Sequence, residues 1–576
     1  MIRRAEHHLC SSLARKELDI MNNNKPNGKN RKPQKRRPAR NSNREGKPTE
    51  VERDVDRSYA MSSLNDISWY TRNPLLTEAA GRIPYPYKPG MTIPLDPSKQ
   101  LGSTANPKYT VPAVMVLDWV PTVGKAAVST DPINLVAREI YAKIRKAYSG
   151  ELAVDPNDLI MYLMALDSVF IFLGWWKRVY RLISLYSSEN MAMPHAFLNA
   201  LNFQDDQIKE LQQKKTQLWQ AINELIYMSH QLTCPAIMDV FNRHYWMSDN
   251  IYTDANSVKA QMFMFNAHEV YQYVPDPEYG SELVLTPLSH RNANGDPQTV
   301  EHMFEDGLAL IQALTSQEDS FIINGYLQRA YEGVPLFQVQ PLLQDEYIVP
   351  VYVPEVLMQI ENSQALPLEV YTRGTALFLE NTVRQEPSTG DVLCAPSVRS
   401  STGSYSVYEY MNVSILSSRS DMPSVAENVL MTRLKCKCTE EEDWTDPGSG
   451  TTEKVHPIIC GTEIPIAWYV MVRDQTASYS SYIPVHVPKY MSVDFAARDD
   501  DMSIIEQREI FGSYIVSSFD WHPISWIFYD GGKTTQDFGS FTPLGDIHNT
   551  TILTEEELRN LHKVCIYSEF NAFSQP

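Results

Sequence analysis

Apolar residues with a helical period dominate the middle of the chain. Asp131-Pro132 supplies a capping residue and a proline at the first helical position. Ile133, Val136, Ile140, Ile144 and Tyr148 then form one stripe, which Gly150 stops. Asp155-Pro156 repeats the start signal, and the run Leu159–Trp176 is apolar nearly all round, which marks a central helix. A third pattern starts near Asp205. It places Ile208, Leu211, Leu218, Ile222, Leu225 and Leu232 on one face, with Lys215 interrupting. Residues 236–274 and 298–332 read as helical as well.

Elsewhere the pattern differs. Residues 74–132 are rich in proline and read as extended. From about residue 346, short β-branched and aromatic runs read as strands: Tyr347–Val353, Leu368–Leu379, Tyr405–Leu416, Ile464–Val472, Tyr482–Val487 and Tyr514–Phe519. A final helix opens at Thr554, where Thr554 and Glu557 make a capping box and Leu553 with Leu558 a hydrophobic staple. The sum is an α+β chain, predominantly helical in its first two-thirds.

Charge adds a second division. Residues 1–50 hold 14 basic and 5 acidic side chains, a net +9, whereas the whole chain is −19 and residues 51–576 therefore carry −28. The basic residues concentrate at Lys25, Lys29, Arg31, Lys32, Lys35, Arg36, Arg37, Arg40, Arg44 and Lys47, spaced by prolines and almost without aliphatic side chains. Such a segment cannot bury a core and is expected to be a disordered arm. It can neutralise phosphates without reading base sequence, and it also fits a localisation signal or a solubility tag. Met1–Met21 lacks the apolar centre of a secretory signal. Its Leu9, Leu13 and Leu18 with Arg15 and Lys16 allow either a short amphipathic helix or an unstructured leader. The 18-residue run Leu159–Trp176 approaches membrane-span length, but Asp167 lies inside it and Lys177 and Arg178 follow, so a buried helix is expected. Seven scattered cysteines argue against a disulfide framework and for synthesis in a reducing compartment.

Motifs that carry chemistry are few. Gly531-Gly532-Lys533-Thr534 lacks the upstream glycine of a phosphate loop, because Ile527 stands there, and reads as a polar turn. Cys436, Cys438, His456 and Cys460 are zinc-type ligands, but the Cys-x-Cys spacing is narrower than structural zinc sites use. No metal or cofactor is expected. Asp499, Asp500 and Asp501 read as a solvated loop. Nothing assembles a catalytic set for an external substrate. One bond can react with itself: the Asn65 amide can attack its own carbonyl and expel the amine of Asp66, with Asp66, Asp54 or Asp56 carrying protons. An inert loop asparagine fits the same residues.

The stretch Pro132–Phe203 resembles the capsid protein of picobirnaviruses, small bisegmented double-stranded RNA viruses. The resemblance is carried by Asp155-Pro156-Asn157-Asp158-Leu159-Ile160-Met161-Tyr162-Leu163, by Ala165-Leu166-Asp167-Ser168, and by Trp176-x-Arg178-x-Tyr180. It implies a largely α-helical shell domain, a β-containing protruding domain and a virion component made and assembled in the host cytoplasm. It further implies symmetric dimers that tile a small T=1 icosahedral shell around double-stranded RNA, and no enzymatic activity beyond a single self-cleavage. The released N-terminal segment would act on a host membrane. On this chain the cleavage falls best at Asn65-Asp66, since Asn73-Pro74 offers a poor leaving residue. The expected division is 1–65 arm, 66–260 helical shell, 261–490 protruding domain and 491–576 returning to the shell. The competing reading is an RNA-binding enzyme or other non-capsid RNA-binding protein with a basic tail.

Overall fold

The computed structural model describes residues 67–87, 89, 91–94, 108–110, 114–187, 192–257, 259–276, 280–288, 299–366, 377–400, 414–441, 454–473, 482–486, 490–493, 515–530, 538–544 and 549–572. The chain divides into two units, Met1–Tyr85 and Pro86–Pro576. The larger one is built around the helix Pro156–Ile183. Asp155 and Asp158 close a capping box at its start, and 25 of its 28 residues are buried, so it packs as a core element on every side. By length and composition it could cross a membrane, yet its whole apolar window is buried inside the chain.

A mixed five-stranded sheet lies beside this helix. Its order is Tyr482–His486, Glu463–Arg473, Val114–Pro121, Met262–Ala267, Tyr252–Thr253. Val114–Pro121 runs parallel to Met262–Ala267 and antiparallel to Glu463–Arg473. The sheet thus takes strands from both sides of the expected 260/261 division. Polar side chains fasten it to the helix. Trp175 Nε1 donates to Asn266 Oδ1 at 2.9 Å, Asn266 Nδ2 donates to Asp118 Oδ1 at 2.8 Å, and the Tyr469 hydroxyl donates to the same carboxylate at 3.1 Å. Each of the three middle strands contributes one of these groups.

The charges that end the apolar run are also used inside. Arg178 is fully buried, and its Nη1 donates to the carbonyls of Phe265 (2.7 Å), Met247 (3.2 Å) and Asn250 (3.4 Å). Burial pushes its pKa down to about 9. Lys177 Nζ donates to the Gln340 carbonyl at 2.9 Å, and Arg181 pairs with Asp249. A guanidinium that caps three carbonyls from a neighbouring helix end and strand fixes where those elements stop.

Several elements follow the sequence. Helices occupy Pro132–Ala147, Thr299–Thr315, Glu318–Ala330 and Glu555–Glu569, and strands occupy Glu463–Arg473 and Tyr482–His486. The capping box at Thr554 and Glu557 is present. The α+β class holds, with small sheets distributed among the helices.

Other readings are corrected. Residues 74–132 are not uniformly extended: Asn73 caps a helix Pro74–Gly81, its Oδ1 accepting from Leu75 N at 3.0 Å, and Val114–Pro121 is a central strand. Residues 236–274 contain one helix, Asp239–Asp249, followed by strands Met262–Ala267 and Glu269–Asp276. Those strands are apolar on both faces or half-buried, which erases the alternation that separates strand from helix. The third helical pattern is broken at Lys214 into Asp205–Gln213 and Lys215–Ser229. Tyr347–Val353 makes only a bridge between Val351 and Tyr252. Ile515–Phe519 turns instead of extending, with Ser518 N on Ile515 O at 3.2 Å and Phe519 N on Val516 O at 3.0 Å. The strand runs expected within 368–379 and 405–416 lie partly outside the described residues; Leu377–Glu380 and Ser414–Ser418 are the strands seen there.

Candidate functional site

The residues singled out for processing and RNA binding lie outside the described residues: Asn65 and Asp66, and the arm from Lys25 to Lys47. So do Asp54, Asp56, the leader Met1–Met21, Gly531–Thr534 and Asp499–Asp501. The description begins at Ile67, directly after the candidate scissile bond. There a 3-10 turn Ile67–Trp69 leads into the helix Pro74–Gly81, which has no buried residue. Ile67, Leu75, Leu76 and Ile83 are all exposed, Leu75 to 73%.

A second exposed apolar surface sits on the larger unit. Ser424 and Glu427 box the start of the helix Val425–Thr432, and Met422, Val425 and Val429 follow one face at 87%, 81% and 45% exposure. A third, along the chain before the helix Pro354–Asn362, exposes Leu343, Tyr347, Val349 and Tyr352. Large apolar side chains left outside an otherwise packed chain mark surfaces that another molecule covers.

The zinc-type residues do not meet. Cys436 and Cys438 lie on a strand paired with Lys454–Ile459, His456 Nδ1 sits 3.1 Å from the Pro396 carbonyl, and Cys460 Sγ lies 3.6 Å from Cys565 Sγ. Among the described residues no group of three His, Cys, Asp or Glu could hold a metal.

What the fold does bring together is a buried charge cluster. Asp167 of the central helix accepts from or shares a proton with His244, Oδ2 to Nδ1 at 2.6 Å, and His244 Nε2 lies 3.0 Å from the Thr462 hydroxyl and 3.7 Å from Glu463. Glu463 pairs with Arg243 and stands 3.8 Å from Arg433, which pairs with Glu569 of the C-terminal helix. Three carboxylates face two guanidiniums and one imidazole, so the cluster is neutral when the imidazole carries a proton. Burial alone would push the His244 pKa down, but Asp167, Glu463 and Glu569 outweigh it and hold it above the ordinary value. Burial opposes ionisation of Glu463 too, and Arg243, Arg433 and His244 overcome it, holding its carboxyl below the usual range. Of these residues only Asp167 stood out in the sequence, as an acid within an apolar run. Its partners come from positions too distant for any pattern to link.

Two glycines allow the backbone to close on this cluster. Gly124 has φ +74°, and a Cβ there would lie 2.3 Å from His562 Nε2. Gly461 has φ +118° and donates its N–H to His562 Nδ1 at 3.3 Å. Burial pushes the His562 pKa down to about 4, with Arg433 and Arg559 adding to the effect. The unfolded chain takes up this proton near pH 6.5, and the folded chain refuses it until about pH 4. Stability from this residue is therefore full above pH 6.5 and falls by about 3 kcal/mol as pH drops from 6.5 to 4. His562→Gln is expected to flatten the dependence of the urea midpoint on pH across that window. An unchanged slope would reject the assignment.

The geometry is that of a tightly tied chain with exposed apolar faces and no assembled catalytic centre among its described residues. Residues 69–422 match the family model described as picobirnavirus capsid protein. The chain is 26% identical over 549 residues to the capsid protein precursor of a human picobirnavirus (strain Human/Thailand/Hy005102/-), covering 92% of this chain and 95% of that protein. The solved X-ray structure of the picobirnavirus capsid shares its fold, with a TM-score of 0.71 at 21% identity, over 89% of this chain and all of that one. The matched stretch exceeds half of the sequence, and the chain belongs to the picobirnavirus capsid protein family.

Proposed function

We propose that this capsid protein assembles as symmetric dimers into a small icosahedral shell that encloses double-stranded RNA and releases its N-terminal segment by self-cleavage. The observation that carries the reading is the set of exposed apolar faces on a chain of this family, above all Met422, Val425 and Val429. Burying such faces between copies removes apolar area from water at about 25 cal/mol per Å². In this reading residues 66–260 belong to the shell, 261–490 to the projection, and 491–576 return to the shell. The basic arm holds RNA through phosphates, with contacts that weaken as salt rises. The released segment carries the leucines of Met1–Met21 toward a host membrane.

Electron microscopy of purified material tests assembly: uniform closed shells are expected, and small discrete oligomers alone would overturn it. The double substitution Val425→Asp and Val429→Asp is expected to keep the melting temperature of the subunit while reducing shell yield at least about tenfold, since each new charge must be desolvated in a contact.

Cleavage is read by intact mass. A mature chain beginning at Asp66 is expected, and Asn65→Ala should leave the chain whole; a variant cut at the same bond would exclude the succinimide route. For RNA, particles lacking residues 1–47 should retain less nucleic acid per shell than full-length ones. Equal content would remove the packaging role from the arm.

A further inference from the structure

Cys460 and Cys565 stand 105 positions apart in the chain, yet their sulfurs are 3.6 Å apart. Cys460 occupies the turn after the strand Lys454–Ile459, and Cys565 lies on the C-terminal helix Glu555–Glu569. Cys460 is fully buried and Cys565 is 8% exposed, so Cys565 is the member of the pair nearer to solvent. We propose that these two thiols are an oxidation site, forming a disulfide that fastens the C-terminal helix to the turn between the strands Lys454–Ile459 and Glu463–Arg473. The inference concerns the folded chain and does not depend on the assembly reading.

Three features support it. A disulfide bond is about 2.05 Å long, so the sulfurs need to approach by only about 1.5 Å, within the range of side-chain rotation. The thiols are inequivalent. The contact with Cys460 holds the Cys565 pKa below its ordinary value against the effect of burial, and the charge of Arg433 adds to the lowering, while Cys460 is held above its own. Cys565, the less enclosed of the two, is assigned as the nucleophile and Cys460 as the resolving thiol. Cys234 and Cys394 are buried as well, but there burial pushes Cys394 up to about 12 and Cys234 well above the ordinary thiol value.

The oxidant is a hydroperoxide, the smallest class able to reach the site. The Cys565 thiolate attacks one peroxide oxygen, the O–O bond breaks, and the departing hydroxide takes a proton to become water, leaving a sulfenic acid. Cys460 sulfur then attacks Cys565 sulfur. The S–O bond breaks, and the Cys460 proton joins the leaving hydroxide as a second water. Two thiols lose two electrons and two protons, and one hydrogen peroxide becomes two waters.

A cross-link spanning this much chain restricts the unfolded state strongly. The turn also abuts Glu463 and Arg433, so the link would lock the helix that supplies Glu569 to the buried cluster. In a reducing compartment the pair stays as thiols, and outside it the pair closes.

The test treats full-length protein with hydrogen peroxide, alkylates remaining thiols, and maps the digest by mass spectrometry. A peptide joining Cys460 to Cys565 is expected, absent after dithiothreitol. The apparent melting temperature should rise by roughly 3–5 °C on oxidation and return on reduction. In Cys460→Ala, dimedone should trap a sulfenic acid at Cys565. The wild-type map alone decides the matter if that variant folds poorly. Recovery of both cysteines as alkylated thiols after treatment, or over-oxidation of Cys565 without the cross-link, would overturn the proposal.

Discussion

The buried cluster of Asp167, Arg243, His244, Arg433, Glu463 and Glu569 is the constraint on which the rest of the larger unit depends. Every member except Arg243, whose side chain is 11% exposed, is buried, and a buried ion left without its partner costs several kcal/mol. The cluster draws on the central helix, the helix Asp239–Asp249, the turn after Val425–Thr432, the strand Glu463–Arg473 and the C-terminal helix. None of these segments can dock alone without stranding a charge. Docking is therefore mutual, and the C-terminal helix is held to the central helix by electrostatics as well as by packing. Replacing the whole set with apolar residues could be neutral for stability, so the cluster acts on arrangement more than on total free energy.

How far the sequence could be read follows from the range of the forces involved. Helices announced by local chemistry were legible: Asp131-Pro132, Asp155-Pro156 and the Thr554 box each mark a start within a few residues of where it lies. The strand Val114–Pro121 was not, because it is covered on both faces and shows no alternation. Met262–Ala267 was read as helix for the same reason. Tyr514–Phe519 has the composition of a strand, and the fold turns its described part, Ile515–Phe519, since propensity yields to tertiary packing in short segments. Of the buried cluster only Asp167 was visible, as a charge in an apolar run, and its need for a partner was implied. The identity of the partners was not, because a contact between positions 167 and 244, or 433 and 569, leaves no period in the sequence.

Function was legible through a different route. The charge division between the first 50 residues and the remainder is a compositional fact, and it pointed to a polyanion without naming one. The DPNDLIMYL segment and its neighbours carried the family, and the structure shows why such a segment is restrictive. Its Asp158 closes the capping box and accepts from Gln385, its Tyr162 hydroxyl donates to the Thr233 carbonyl at 3.0 Å, and its leucines are buried on all sides. A stretch with so many simultaneous demands tolerates few replacements.

The acidic body sets a condition on how a shell of such chains can close. Residues 51–576 carry −28, so copies repel one another at distances beyond contact. In physiological salt this repulsion fades over about 8 Å, and what remains must be exceeded by burial of apolar surface at the contacts themselves. The chain satisfies its interior charges within itself, leaving apolar side chains such as Met422, Val425 and Val429 outward. Association then rests on surface that has no electrostatic cost to cover, while the charge on the remaining surface opposes premature or misaligned contacts. Screening weakens that opposition, so association of this chain should be favoured by added salt, whereas the phosphate contacts proposed for its arm would be weakened by it. On the proposed reading the two requirements pull in opposite directions, and an intermediate ionic strength, where both operate, is the condition under which a filled shell would form.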